Sequence, residues 1–181
     1  AVFTRLAYLT VTNCTFTNNT AINDGGGAIH GRSSTIAIHN SYFAGNIAGG
    51  GGFGGAIHID GVSPADLNGR LHITASTFTG NIAANQGGAI FYYLHQEKSE
   101  AVLLDTVNVL DNHVVDSGVI DWVGNRGVGG GLAGGFGDVM IRNSTFANNT
   151  VRGQITTNGP GSGGGLSLIS NGSVSITNTT V

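Results

Sequence analysis

Acidic side chains gather in the second half of the chain. Asp105, Asp111, Asp116 and Asp121 fall close together in sequence, with His113 among them. Carboxylates grouped in this way can hold Ca²⁺ or act as an acid–base pair on a polysaccharide. The pattern places Asp105 on the outward side of a strand and Asp111 at the turn that follows. Solvated turn residues are the simpler interpretation, and whether the cluster binds a cation stays open.

Two histidines form the only other arrangement that suggests a metal site. His30 and His58 both follow the phrase Gly-Gly-Ala-Ile, so equivalent positions would bring them together on neighbouring repeats. Phe91 occupies the next such position, which disfavours a column of metal ligands. We therefore expect a stack of side chains on the surface, and we predict neither a metal nor a cofactor.

Two short phrases recur along the chain and define its organisation. The phrase Gly-Gly-Ala-Ile occurs at 26–29, 54–57 and 87–90, with looser copies at 130–132 and 164–166. A two-part phrase with a period of about 27 to 37 residues is typical of a repeat architecture. The other phrase, Phe-x-x-Asn, occurs at Phe16/Asn19, Phe43/Asn46, Phe78/Asn81 and Phe146/Asn149, and a degenerate copy has Val109/Asn112.

The alternation of these two phrases resembles the repeat of the polymorphic outer membrane proteins of chlamydiae. This resemblance implies an all-β fold, a right-handed parallel β-helix, and a role as an adhesin or autotransporter passenger at the cell surface. It covers nearly the whole chain. The residues that carry it are structural ones, so activity has to be argued from other residues.

We predict a single β-helix segment, 1–181, with about five rungs and no substantial helix. The repeats lie near 8–31, 34–61, 69–93, 100–133 and 137–168, with a partial copy at 172–181. Because the chain starts close to one repeat and ends inside another, we expect an excerpt of a longer protein. Unpaired strand edges are prone to aggregate, so further repeats or end-to-end subunits are expected as partners.

Alternation within each repeat predicts which side chains face the core. The columns beginning with Leu9 and Val11 are aliphatic throughout and should face inward, whereas the mixed column beginning with Thr10 should face outward. The phenylalanines should stack in the core. The Gly pairs should allow positive φ and close backbone approach at a corner. The outward column is predicted to contain Thr10, Ala37, His72, Leu103, Met140 and Ser175.

Two columns of asparagine are expected to turn inward at corners and to hydrogen-bond from rung to rung. One starts at Asn13 and contains Asn40, Asn143 and Asn178; the other starts at Asn19 and has no exception. Asn-x-Ser/Thr sequons occur in both regions. In a eukaryotic secretory pathway, glycans are expected at Asn18, Asn148 and Asn171, and not on Asn13, Asn143 or Asn178 of the inward column.

Composition excludes several classes of protein. The net charge is −3 without a basic run, which argues against nucleic acid as a partner. No apolar run is long enough to cross a membrane. The single cysteine, Cys14, stands where other repeats have serine, so we expect a free thiol without a catalytic role.

The resulting prediction is a structural or adhesive segment of a large extracellular or cell-surface repeat protein, not an enzyme. Other surface proteins or glycans are candidate partners. The alternative is a carbohydrate-binding or polysaccharide-degrading module that uses the loops 92–100 and 115–128. Tyr92, Tyr93 and Trp122 are the side chains that would contact a sugar or another partner there.

Overall fold

The computed structural model describes residues 1–23, 25–61, 71–94, 102–115, 127–152, 163–170 and 172–181. Within these residues every strand pairs in parallel and no helix occurs. Four sheets run along the molecule, and the chain visits them in the same order on each turn. This arrangement is a parallel β-helix, as the sequence predicts.

Two of the sheets have six strands in the described part of the chain. Sheet 1 consists of β1 (Val2–Arg5), β5 (Ile29–Arg32), β9 (Ile57–Asp60), β13 (Ile90–Tyr93), β17 (Leu132–Gly135) and β21 (Leu166–Ile169). Sheet 2 consists of β2 (Tyr8–Thr12), β6 (Thr35–His39), β10 (Leu71–Thr74), β14 (Val102–Asp105), β18 (Val139–Arg142) and β22 (Val174–Thr177).

The other two sheets have five shorter strands each. Sheet 3 consists of β3 (Thr15–Thr17), β7 (Tyr42–Ala44), β11 (Thr77–Thr79), β15 (Asn108–Leu110) and β19 (Thr145–Ala147). Sheet 4 consists of β4 (Thr20–Ala21), β8 (Ile47–Ala48), β12 (Ile82–Ala83), β16 (His113–Val115) and β20 (Thr150–Arg152). Five rungs thus contribute to all four sheets, in agreement with the predicted number.

Strand register aligns equivalent residues of successive rungs, so the core is built from columns. In sheet 2, Ile38 pairs with Ile73 and Ile73 with Leu104, and all three side chains are buried. Burying one such side chain contributes about 1.5–3 kcal/mol. The predicted inward and outward columns of this sheet are confirmed, since Thr10 and Met140 are exposed.

The phenylalanine column also stacks as predicted. Phe16 and Phe43 lie with ring centroids 4.9 Å apart, and Phe43 and Phe78 lie 4.6 Å apart, with the rings nearly parallel. Val109 takes the equivalent position in the fourth rung, and Phe146 follows in the fifth. Identical rings at the rung spacing therefore form a continuous stack over the first three rungs, and Val109 separates it from Phe146.

The described corners of the β-helix place residues in the left-handed region of φ. Between sheets 2 and 3 these residues are Asn13 (φ 55°), Asn40 (φ 44°) and their equivalents, and between sheets 3 and 4 they include Asn18 (φ 55°). Asparagine tolerates this conformation better than most residues do. The first glycine of the Gly-Gly phrase has the same role between sheets 4 and 1, where Gly26 has φ 72°.

Candidate functional site

The inward asparagine column starting at Asn19 forms the predicted ladder. The Nδ2 of Asn46 donates to the Oδ1 of Asn81 at 2.9 Å, and the Nδ2 of Asn81 donates to the Oδ1 of Asn112 at the same distance. The backbone N–H groups of Asn46 and Asn81 donate to the same Oδ1 atoms as their amides do. The Nδ2 of Asn81 also donates to the Phe43 carbonyl of the preceding rung. Asn46, Asn81 and Asn112 are fully buried, so this column holds the fold together.

The column starting at Asn13 faces outward, which corrects the sequence analysis. Asn13, Asn40 and Asn143 are exposed. Their positive φ turns the side chain away from the core and directs the following residue inward. The inward position belongs instead to Ser41, whose Oγ donates to the His39 carbonyl at 2.8 Å and accepts the backbone N–H of Cys14 at 3.1 Å.

This serine column was missed as a ladder, although its residue types are visible in the sequence. Ser76 and Ser144 repeat the pattern, each donating to the carbonyl two residues earlier. Cys14 belongs to the same column; its thiol is free, partly buried and 3.2 Å from the Thr12 carbonyl. The predicted free thiol is therefore confirmed, and its contact is a structural one.

Three outward columns meet at the corner between sheets 2 and 3, and we call this surface the corner band. Every side chain of the band is exposed or half-buried. Ala75 is its single aliphatic side chain, and its aromatic rings are the phenol of Tyr42 and the imidazole of His39. The columns are Thr12, His39, Thr74, Asp105, Arg142 and Thr177; Asn13, Asn40, Ala75, Thr106, Asn143 and Asn178; and Thr15, Tyr42, Thr77, Asn108, Thr145 and Thr180.

Hydrogen bonds run between rungs within the band. The Nδ2 of Asn40 donates to the Oδ1 of Asn13 at 2.8 Å. Asp105 accepts from Asn143 at 3.0 Å and from the guanidinium of Arg142 at 2.8 Å. These hydrogen bonds, that from Asn143 first, hold the pKa of Asp105 below its usual range. Asp105 is therefore ionised at neutral pH, and the interaction is lost as the pH falls through that lowered pKa.

The predicted acidic cluster is only partly within the described residues. Asp105 pairs with Arg142 in the corner band, whereas Asp111 lies at the corner between sheets 3 and 4 with φ 54°. His113 Nδ1 contacts the Thr150 hydroxyl at 2.6 Å. Asp116 and Asp121 lie outside the described residues. In the part of the chain that is described, no group of three His, Cys, Asp or Glu side chains is placed to hold a metal ion.

The two histidines stack as expected, but His30 is half-buried and His58 is buried. The rings of His30 and His58 lie 4.6 Å apart and nearly parallel. His58 is only 6% exposed because Phe53, from the segment between β8 and β9, packs against it and against Phe91. The prediction of a surface stack was therefore wrong for His58. Phe53 covers it from the segment between β8 and β9, whose position strand periodicity does not predict.

The three aromatic residues proposed to contact a partner fall in different surroundings. Tyr92 points inward with Ile90 and is 0% exposed, so its burial removes it from the predicted contact. Tyr93 is half-buried and packs edge-on against Phe136, with ring centroids 5.2 Å apart. Trp122 lies outside the described residues, as do most of the loops 92–100 and 115–128. A contact through Tyr93 stays a prediction.

Among the described residues, the buried hydroxyl of Tyr92 has no hydrogen-bond partner. Burial also raises the pKa of this phenol above its ordinary value. An unsatisfied buried polar group costs about 1–3 kcal/mol, so Tyr92→Phe is expected to raise the free energy of unfolding by about 1 kcal/mol. Urea unfolding followed by circular dichroism measures this change. A matched Tyr42→Phe variant, altered at an exposed hydroxyl, should have nearly unchanged stability. A destabilised Tyr92→Phe variant would contradict the absence of a hydrogen-bond partner for the Tyr92 hydroxyl.

Five of the six sequon asparagines are in the described residues, and all five are exposed. They are Asn13, Asn18, Asn143, Asn148 and Asn178. Asn171 lies outside the described residues. The exposure of Asn18 and Asn148 agrees with the geometry predicted for these two residues. The reason for excluding the other three, an inward side chain, was wrong.

If the chain is secreted from a eukaryotic host, we expect glycans at Asn18 and Asn148, and exposure also permits them at Asn13, Asn143 and Asn178. Glycopeptide mass spectrometry measures the occupancy of each site. Asn18→Gln serves as the control because it removes one acceptor without changing the others. Bare Asn18 and Asn148 beside occupied sites elsewhere would contradict the expectation.

Residues 13–32 and 75–92 match the model of the Chlamydia polymorphic membrane protein (Chlamydia_PMP) repeat. Each matched segment contains one Phe-x-x-Asn and one Gly-Gly-Ala-Ile phrase. No curated protein and no solved structure matches the chain. Within the described residues, no helix is long and apolar enough to cross a membrane.

Proposed function

We propose that this chain, a parallel β-helix with repeats of the polymorphic membrane protein type, is a structural and adhesive segment of a large cell-surface protein. The observation that carries the proposal is the repeat match, because its family description refers to a membrane protein. The residues within the match maintain the fold, and the outward columns are left to contact partners. Its proposed location is outside the cell, with other surface proteins or glycans as partners.

Support for a non-catalytic role comes from the surroundings of the acidic residues. A polysaccharide-degrading module would use the carboxylates between Asp105 and Asp121 as an acid–base pair. Asp105 already accepts hydrogen bonds from Arg142 and Asn143, which favour its ionised form. Asp111 stands at another corner, in line with exposed Asn18 and Asn148. These positions favour structural roles for the two carboxylates.

The edge of the last described strand supports a further part of the proposal. Val174 and Ile176 are 46% and 43% exposed, whereas their partners Val139 and Ile141 are 2% and 0% exposed. We infer that another set of strands of the same type, from further repeats or from a subunit packed end to end, covers this edge. If the isolated span 1–181 is a soluble monomer that unfolds cooperatively, such a cover is not required.

The location can be tested on intact cells of the organism that encodes the chain. An antibody against residues of the corner band should label unpermeabilised cells, and external protease should remove the signal. A cytosolic protein probed in parallel shows that the cells stayed intact. Labelling only after permeabilisation would overturn the proposed location.

A further inference from the structure

The corner band differs in chemistry from the other outward surfaces of the described β-helix. Sheet 2 has Met140 at 45% exposure in its middle outward column, and sheet 4 has Ile47 at 37% exposure. The band instead carries a threonine hydroxyl or an asparagine amide on every described rung, and both on four of the six. Protein partners usually need an apolar centre in the interface, which the band lacks.

Charge narrows the class of partner further. Asp105 and Arg142, which carry the formal charges of the band, pair with each other at 2.8 Å. A surface of balanced charge offers no attraction to the phosphates of nucleic acid or to an anionic membrane. Groups that both donate and accept hydrogen bonds, namely hydroxyls and amides, match a partner that is itself covered with neutral hydroxyls.

Geometry makes these groups suitable for an extended partner. Equivalent side chains repeat at about 4.8 Å, the distance between paired strands. Positive φ fixes the direction of the corner asparagines, and the 2.8 Å bond between Asn40 and Asn13 holds their amides in place. Binding groups that are already ordered lose little entropy when a ligand binds.

Tyr42 supplies the phenol ring of the band. It is 42% exposed and lies between Thr15 and Thr77 on the neighbouring strands. An exposed ring of this kind can pack against the apolar face of a sugar while its hydroxyl stays in water. The ring therefore stands among the hydroxyl and amide groups that would bind the polar edges of the same sugar.

We propose that the corner band binds an extended neutral polysaccharide along the axis of the β-helix, with Tyr42 stacked on one sugar ring. This inference deepens the proposed function, on which it rests, because it names the class of partner for the adhesive surface. It moves carbohydrate binding from the loops 92–100 and 115–128 to a surface that strand register defines.

The test uses isothermal titration of the full chain, made in a bacterial host without N-glycosylation, with cellohexaose and mannohexaose. Saturable binding that is insensitive to salt is expected for at least one of them. Tyr42→Ala should weaken it about tenfold, the size expected for the loss of one stacked ring. Ile47→Ala, at similar exposure in the same rung but outside the band, should leave the affinity unchanged.

A second pair of variants tests the amides without straining the corners. Asn40→Gly removes a band amide while glycine keeps the positive φ, so it should weaken binding several-fold. Asn148→Gly makes the same change at the corner between sheets 3 and 4 and should have no effect.

Three results would overturn the inference: no saturable binding of either oligosaccharide at millimolar concentration, equal affinity in Tyr42→Ala and the unaltered chain, or binding only of anionic heparin that salt abolishes. None of these three results affects the proposed surface location, provided that the antibody labels intact cells. Failure of that labelling, with oligosaccharide binding retained, would overturn the location and not the binding surface.

Discussion

Replacing Asn81 by aspartate is expected to lower the free energy of unfolding by about 4 kcal/mol or more. The carboxylate can still accept from Asn46, but it cannot donate to the Oδ1 of Asn112 or to the Phe43 carbonyl. The Phe43 carbonyl and the Asn112 Oδ1 each lose one buried hydrogen bond, at about 0.5–1.5 kcal/mol each, and the Asn112 Oδ1 keeps the bond from the backbone N–H of Asn81. A buried negative charge beside those oxygens adds to the loss. Urea unfolding at neutral pH measures the difference.

Asn148→Asp is the matched control for this substitution. Asn148 is exposed at a corner where the fourth rung already has aspartate, Asp111, with nearly the same φ. The control should change stability by no more than about 0.5 kcal/mol. Equal destabilisation by the two substitutions would contradict the role of the ladder.

Acidification gives a second measurement on the Asn81→Asp variant. Burial raises the pKa of the introduced carboxyl above its unfolded value, so the folded state favours the protonated form. The stability deficit should therefore be largest above the folded pKa and should shrink as the pH falls through it. The protonated carboxyl can again donate one hydrogen bond. A deficit that is independent of pH would contradict this explanation.

Gly88→Ala is expected to destabilise the β-helix by more than about 4 kcal/mol, a large part of a typical stability of 5–15 kcal/mol. A methyl group at this position would overlap the Gly130 carbonyl and lie 2.7 Å from the backbone N of His113. All of these atoms belong to the backbone of neighbouring strands and corners, so no side chain can move to make room. Thermal unfolding, or the absence of folded protein, reports the effect.

Gly80→Ala controls for the loss of glycine itself. Gly80 has φ 61° and no neighbouring atom within 4 Å of an added methyl group. Its substitution adds left-handed strain alone, about 1–2 kcal/mol. If Gly80→Ala were as damaging as Gly88→Ala, contact between rungs would not explain the Gly-Gly phrase.

Much of the fold could be predicted because each rung repeats the same local requirements. Alternation placed Ile38 and Ile73 in the core, and the invariant column starting at Asn19 indicated a ladder. The same alternation could have placed Tyr92 inward, since it stands two residues after Ile90. The prediction that Tyr92 lies on the surface assigned it to the start of the loop 92–100.

The corner band could not be found from residue types alone. The outward direction of Asn13 depends on its positive φ, which asparagine permits but does not require. The small polar residue that follows, Ser41 in the second rung, was the available signal that this next position faces inward. The burial of His58 under Phe53 depends on a contact between a connecting segment and strand β9, which periodicity within the strand does not contain.

The asparagine ladder has a direction, and this bears on how such a protein can change length during evolution. Each amide from Asn19 to Asn112 donates to the equivalent residue of the next rung, whether the two are separated by 27, 35, 31 or 37 residues. A duplicated or deleted repeat therefore leaves the same bonds to be made across the new junction. Unequal recombination can lengthen or shorten the solenoid by whole repeats, while extra residues accumulate at the corners. Gene variants that differ in repeat number should accordingly keep the fold.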